Sequence, residues 1–341
     1  MSEFETHKAN IVVMGAGGGG CNTISRLTEL NILGATTVGV NTDAKHLDIT
    51  RSHKRLLIGK ELTRGLGAGG YPNVGAKAAL ESKREIEEIL GQCDLLFLTC
   101  GLGGGTGTGA LPEIAKMAKE KNAIVISAVT FPFHMEKARM SKAEDGLMHL
   151  RENSDTVILI ENQKLLQLAG NKPLKEAFGV ADNIIATMIK GITETISQPS
   201  LVNLDYADVR TIMHSGGVAT IGVGESNTKD RANEAVNQAL SNPLLDVDYE
   251  GATGALIQII GGEDLTLDEI NHIGEKVSNF MSPDAMVMWG ARILPEYHGK
   301  IQVITIITGV SSPYITGSSQ VDHLNKKTAQ SLNDLGIKMV S

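Results

Sequence analysis

The chain has 341 residues, 42% of them hydrophobic, which is enough for two domains with packed cores. Lys and Arg number 31 against 39 Asp and Glu, and the net charge of -8 excludes a large duplex-binding surface, because phosphate contacts need clustered positive charge. The cysteines, Cys21, Cys93 and Cys100, are too few and too irregular for a disulfide framework or a four-ligand zinc site, and they fit a reducing cytosol.

In chain order, residues 1–10 are polar, lack a hydrophobic signal region and are expected to be flexible. No apolar run approaches the roughly 20 residues that a spanning helix needs, so direct membrane insertion is not expected. Short apolar runs at 11–14, 37–40, 95–99 and 123–130 predict strands. Between them Ile24, Leu27 and Leu30, and then Ala79, Ile86, Ile89 and Leu90, recur at helical spacing. This alternation predicts an α/β fold with a doubly wound, mostly parallel sheet and ligands at the carboxyl ends of its strands. From Leu174 to Ile196 apolar residues continue at three- and four-residue steps. A helix of roughly 24 residues is predicted there, about 36 Å long.

Past Gln198-Pro199, runs at 217–224, 255–260, 286–293 and 301–308 predict further strands, with helices starting near Thr228 and Thr266. Thr266 and Glu269 have capping-box spacing. A second, smaller α/β domain is the economical reading. Residues 311–320 read as a polar linker, and Leu332, Leu335, Ile337 and Val340 give the tail apolar groups that either dock on a partner or fray. The predicted division is therefore a flexible start (1–10), a nucleotide domain (11–173), a connecting helix (174–198), a second domain (199–310) and a linker with tail (311–341).

Two glycine-rich loops stand where a strand hands over to a helix: GAGGGG at 15–20 and GGGTGTG at 103–109. Unpaired amides and the helix dipole favour an anion at such a place, and two loops in one chain mark a nucleotide. The first loop also fits G-x-G-x-x-G, with Asp43 at about the distance where a dinucleotide fold holds ribose. Alone, it favours an NAD-dependent Rossmann oxidoreductase. Such an enzyme has no need of a second glycine loop with two threonines, whose hydroxyls and amides suit further phosphate oxygens. No G-x-x-x-x-G-K-[ST] occurs. A third stretch, GLGAGG at 65–70, reads by itself as a surface loop more than as a site.

Together with GAGGGGCN (15–22), NTDA (41–44), GLGAGG (65–70) and NLDYADV (203–209), the GGGTGTG loop resembles the FtsZ family of tubulin-related cell-division GTPases, over residues 11–310. TFPFHME (130–136) and QPSLVNLDYADVRTIM (198–213) resemble archaeal members of the second paralogue type most. The resemblance implies a GTPase domain joined by the long central helix to an activation and assembly domain. It implies that Gly18, Gly19, Gly20, Cys21 and Asn22 line the α- and β-phosphates, and Gly105, Thr106 and Gly107 the β- and γ-phosphates. Gly103, Gly104 and Thr108 of the same loop, with Gly69 and Gly70, join this set. Glu136 matches the ribose-binding glutamate, Arg139 its nearby arginine, and Asp182 the guanine-binding position. An aspartate that accepts from guanine N1 and N2 rejects adenine; without the resemblance, Asp182 reads as a solvated helix position.

No general base for water lies near the glycine loops in the sequence. Asn203, Asp205 and Asp208 lie beyond the far end of the long helix, where carboxylates would polarise water or help hold a cation, or simply start an acidic helix. A helix about 36 Å long keeps these acids from their own phosphates. The resemblance implies the solution: subunits stack head to tail, each completing the GTPase site of the next, and such a heterologous contact makes filaments. It implies GTP and GDP as ligands with Mg²⁺ held by the phosphates and no protein metal site. The implied partners are further copies of the chain, a related FtsZ paralogue and a membrane-tethering protein at the tail, with no nucleic acid. The expected location is the cytoplasm at the division site. An NAD-dependent oxidoreductase and a GTP-binding structural filament without hydrolysis remain as alternatives, and the presence of both Asp205 and Asp208 argues against the second.

Overall fold

The computed structural model describes residues 9–310 except 199, 203, 215, 216 and 242–248. The expectations for residues 1–8, for Asn203 and for the linker and tail at 311–341 lie outside the described residues. The chain opens with β1 (Ile11–Ala16), α1 (Gly17–Glu29), β2 (Ala35–Asn41), α2 (Ala44–Asp48), β3 (Lys54–Leu57) and α3 (Lys60–Thr63). It continues with α4 (Pro72–Glu81), α5 (Lys83–Leu90), β4 (Leu95–Gly101), α6 (Thr106–Glu120), β5 (Ile124–Phe131) and α7 (Lys137–Asn153). Then come β6 (Thr156–Glu161), α8 (Asn162–Ala169) and α9 (Leu174–Ser197), the 24-residue central helix. The rest is α10 (Tyr206–His214), β7 (Gly217–Ser226), α11 (Arg231–Leu240), β8 (Ala252–Gly261), α12 (Leu267–Ser278), β9 (Met281–Ile293) and β10 (Ile301–Thr308).

The first six strands are parallel, in the order β3-β2-β1-β4-β5-β6. Side chains alternate across each strand, so the buried strands feed two cores at once. Val12 and Met14 of β1 pack with Ile86, Leu111 and Ile114 on one face. Ile11 and Val13 pack with Ile24 and Leu27 of α1 and with Ile185 and Ile189 of α9 on the other. From β1 the chain runs outward to β2 and β3, then returns past β1 to β4. The crevice at the carboxyl ends of β1 and β4 is therefore the topological switch point, where ligands of such sheets bind.

The second part carries the strands β7-β10-β8-β9, with β10 antiparallel to β7 and β8, and β8 parallel to β9. Two residue pairs, Thr156↔Gly217 and Val157↔Val218, join it to β6. On one face α11 and α12 close a separate core around Val236, Ile257, Ile273 and Val303. On the other, Leu256 and Ile304 share a core with Ile189 and Ile192 of α9. The central helix thus packs on both sheets. Edge strand β9 starts earlier than the sequence predicts and takes in Pro283, which an edge tolerates because the missing N–H faces no partner. Among the described residues no helix is long and apolar enough to cross a membrane.

Candidate functional site

At the switch point the chain turns from β1 into α1 and from β4 into α6, and both turns need glycine. Gly17 and Gly103 have φ of +70° and +85°, where a side chain is strained. A Cβ on Gly105 would lie 2.8 Å from Ala68 Cβ and from the Tyr71 amide nitrogen, and 3.1 Å from that of Gly70. The 65–70 stretch is thus packed against the second glycine loop. It is tied down from Ala44 to the Gly65 carbonyl (3.0 Å) and from Gly67 to the Thr42 carbonyl (3.0 Å). Lys142 Nζ adds a bond to the Gly70 carbonyl (2.7 Å).

Both turns open on a cavity of about 750 Å³, a volume suited to a nucleotide-sized ligand. Of the sequence-predicted residues, Gly18, Gly19, Asn22, Gly104, Gly105, Thr106, Gly107, Glu136, Arg139 and Asp182 line it. Among the described residues, the amides of Gly69, Gly70, Gly103, Gly104 and Gly105 have no hydrogen-bond partner. The first turns of α1 and α6 add the unpaired amides of helix N-termini. Such a nest fits phosphate oxygens.

Asp182 of α9 accepts from Thr23 Oγ1 at 2.7 Å. Burial raises its carboxyl above the ordinary value, against the pull of that hydrogen bond and of the Arg26 charge. Glu136 accepts from the Phe133 amide (3.1 Å) and from Arg139 Nη1 (2.8 Å). Among the lining residues that the sequence did not single out are Phe178 and Asn162. Phe178 lies one helical turn before Asp182 and meets Phe133 edge-on, with ring centroids 5.9 Å apart. Asn162 starts α8 at the carboxyl end of β6, and its buried Oδ1 has no partner among the described residues. The signal for Phe178 was the four-residue step from Asp182, whereas Asn162 follows a strand that shows no alternation in the sequence.

The carboxylates lining the cavity are already engaged: Glu29 by Arg26 (3.2 Å) and Arg51 (2.9 Å), Glu136 by Arg139, and Asp182 by Thr23. Asp205 and Asp208 lie elsewhere. Asp208 donates its amide to Asp205 Oδ1 (2.8 Å) and Asp205 donates its own to Asp208 Oδ2 (3.1 Å), so the pair caps α10 reciprocally. Between them in the chain, Tyr206 donates to the Asp94 carbonyl (2.9 Å), at the amino end of β4. The phosphate loop follows the other end of that strand, about 20 Å away at ~3.3 Å per residue.

The GTPase-domain profile of the Tubulin/FtsZ family matches residues 10–170, and that of the FtsZ C-terminal domain matches residues 217–311. Cell division protein FtsZ 2 of Methanocaldococcus jannaschii is 56% identical over 92% of this chain and 83% of its own length. The chain belongs to the FtsZ family of cell-division GTPases. FtsZ 2 of Haloferax volcanii is 50% identical over 93% of this chain and 79% of its own. FtsZ 1 of Pyrococcus abyssi is 54% identical over 92% and 84%. Among solved structures, the empty FtsZ dimer of M. jannaschii superposes with a TM-score of 0.85 at 49% identity, over 89% of both chains. The GDP-bound CetZ1 monomer of Haloferax volcanii shares the fold at 20% identity, with a TM-score of 0.80 over 93% of this chain and 99% of that one.

The remaining residues matched to the FtsZ pattern lie around the cavity without lining it. Gly20 wedges α1 against the sheet, where a Cβ would stand 2.3 Å from the Thr99 carbonyl oxygen. Cys21 is fully buried beneath the first loop, its thiol 3.7 Å from the Val40 carbonyl and pushed up to about 11 by burial, so its side chain is not presented to a ligand. Thr108 is covered by Gly146 of α7 and lines a separate cavity of about 620 Å³ with Tyr71 and Lys142. Gly103 rests on the Arg139 carbonyl, and Gly69 and Gly70 lie behind Gly105. Asp43, weighed as a ribose ligand of an NAD enzyme, instead caps α2 by accepting from the His46 amide at 3.1 Å.

Proposed function

We propose that the chain binds GTP and GDP at the switch-point cavity, assembles head to tail, and hydrolyses GTP only where two subunits meet. The observation that carries this reading is the separation of the two halves of the chemistry: amides for phosphates at the carboxyl ends of β1 and β4, unassigned carboxylates at the amino end of β4. Asp205 and Asp208 have no route to their own cavity, whereas a copy stacked on the first brings its acids to the open phosphates. That a relative at 49% identity is an FtsZ dimer supports self-association.

In this reading Gly18–Gly20, Cys21 and Asn22 hold the α- and β-phosphates through backbone and amide groups. Gly103–Gly107, with Thr108 behind them and Gly69 and Gly70 beside them, hold the β- and γ-phosphates. Glu136 and Arg139 meet the ribose, and Asp182 reads guanine. Mg²⁺, held by the β- and γ-phosphates, supplies charge neutralisation. Asn203, Asp205 and Asp208 of the next subunit orient water. Residues 11–173 act as the GTP-binding domain, 174–198 as the connecting helix and 199–310 as the assembly domain. The apolar groups of the 311–341 tail suit a membrane tether or an FtsZ paralogue, in the cytoplasm at the division site.

Phosphate release measured against protein concentration tests the reading. Turnover per subunit is expected near zero in dilute solution and to rise steeply once filaments form. Constant turnover per subunit over that range overturns it.

A further inference from the structure

The 65–70 stretch contains four glycines at positive φ, Gly65, Gly67, Gly69 and Gly70, so its conformation must be imposed from outside. Its first half is fixed to the Thr42–Ala44 backbone through Gly65 and Gly67. Tyr71 is held at the start of α4, its carbonyl accepting from the Val74 (3.0 Å) and Gly75 (3.3 Å) amides, whereas for Gly69 and Gly70 the one hydrogen bond from another element, among the described residues, is Lys142 Nζ to the Gly70 carbonyl at 2.7 Å. The same ammonium stands 5.4 Å from the centroid of the Tyr71 ring. Lys142 follows Arg139 by three residues on α7, so one face of that helix meets the second glycine loop through the Arg139 carbonyl at Gly103 and the third stretch through Lys142.

We propose that Lys142 is a positioning residue for the terminal phosphate: it fixes Gly69 and Gly70, just ahead of α4, against Gly105 and so sets how strongly the site prefers a nucleoside triphosphate to a diphosphate. The inference rests on the nucleotide reading of the cavity. Gly70 and Tyr71 are, with Ala68, the residues that a Gly105 side chain would strike, which puts their backbone beside the loop matched to the β- and γ-phosphates. The unpaired amides of Gly69 and Gly70 stand behind the lining residue Gly105, so they serve the terminal phosphate of a triphosphate only if the stretch is held against that loop, and in this proposal the shorter diphosphate does not depend on them. Lys142 acts through this loop, not on the ligand, and among the described residues it is absent from the lining of the nucleotide cavity.

The test is equilibrium binding of GTPγS and of GDP to the full chain, kept too dilute to assemble, for wild type, Lys142→Met and Lys142→Arg. Lys142→Met keeps the apolar stem and removes donor and charge. It is expected to weaken GTPγS about tenfold while GDP stays within about twofold, with the thermal midpoint of the GDP-bound protein unchanged. Lys142→Arg retains a donor and a cation over the ring and restores most of the loss. Unchanged GTPγS affinity in Lys142→Met, or an equal loss for both nucleotides, overturns the proposal. Wild-type protein that binds neither nucleotide overturns instead the reading of the cavity on which it rests.

Discussion

Asp182 sits where a charge is costly, and that makes its protonation visible. Burial raises its folded value above the ordinary 3.8, so between the two values the native state binds more protons than the unfolded chain. The sign follows: what this group contributes to stability is greatest at low pH and is lost as pH rises through the raised value. Guanine recognition runs the other way, because N1–H and N2–H need an ionised acceptor. GDP affinity is therefore expected to be full above the raised value and to fall as pH drops through it. Asp182→Asn should flatten that dependence, weaken GDP about tenfold or more, and erase most of the preference for GTP over ATP, since a polar site rejects analogues through unpaired groups. Nucleotide competition across a pH series reads all three. Identical pH profiles in wild type and variant would remove Asp182 from base recognition.

At the scale of elements, α9 is held from both sides near its end. Glu194, 9% exposed, accepts from Arg292 of β9 at 3.0 Å and from the Leu33 amide, in the loop after α1, at 3.4 Å. Arg292 is next to Ala291, whose carbonyl accepts from Leu201 and Val202 on the way to Asp205. The pair thus links the end of α1, the helix that follows the first glycine loop, to the segment that carries Asp205 and Asp208. Arg292→Leu leaves Glu194 with the Leu33 amide and, among the described residues, with Lys190 at 3.8 Å as its remaining cation, and is expected to cost about 2 kcal/mol in chemical denaturation. Adding Glu194→Gln should recover much of it. A strictly additive double variant would mean that the two side chains do not support each other.

Elements built from local rules were legible in the sequence. The Thr266–Glu269 capping box forms as its spacing predicts, with bonds of 3.3 and 2.9 Å, and α9 keeps the apolar stripe that announced it. Strand β6 was not read, because TVILIE is buried at every position and an uninterrupted apolar run shows no alternation to separate strand from helix. Edge strand β3 has four residues, two of them exposed. Helix α7 buries Ala143, Leu147 and Leu150 in a narrow stripe interrupted by Gly146. The glycine loops were legible since at positions such as Gly15, Gly20 and Gly105 close approach leaves no room for a Cβ. Phe178 and Asn162 were not, since a single ring or amide acquires its role only when distant elements converge.

For the whole molecule, the proposed division of the site makes activity a property of two chains. Asp208 also caps α10, so an alanine there confounds chemistry with a lost cap worth about 1 kcal/mol. Asp208→Asn keeps an oxygen for the Asp205 amide and removes the charge. It is expected to bind GTP near normally, hydrolyse it ~10²-fold more slowly and form long-lived filaments. A complementary subunit is Gly105→Val, whose Cβ strikes Ala68 and Tyr71 and so spoils the pocket while leaving Asp205 and Asp208 intact. Each variant alone should release little phosphate. Mixed under conditions where co-sedimentation shows that both enter one polymer, they place intact acids of one chain against the intact pocket of the other, and turnover should exceed the sum of the separate rates. Co-sedimenting variants whose rates merely add would show that a subunit uses its own acids, and the division of the site between neighbours would have to be abandoned.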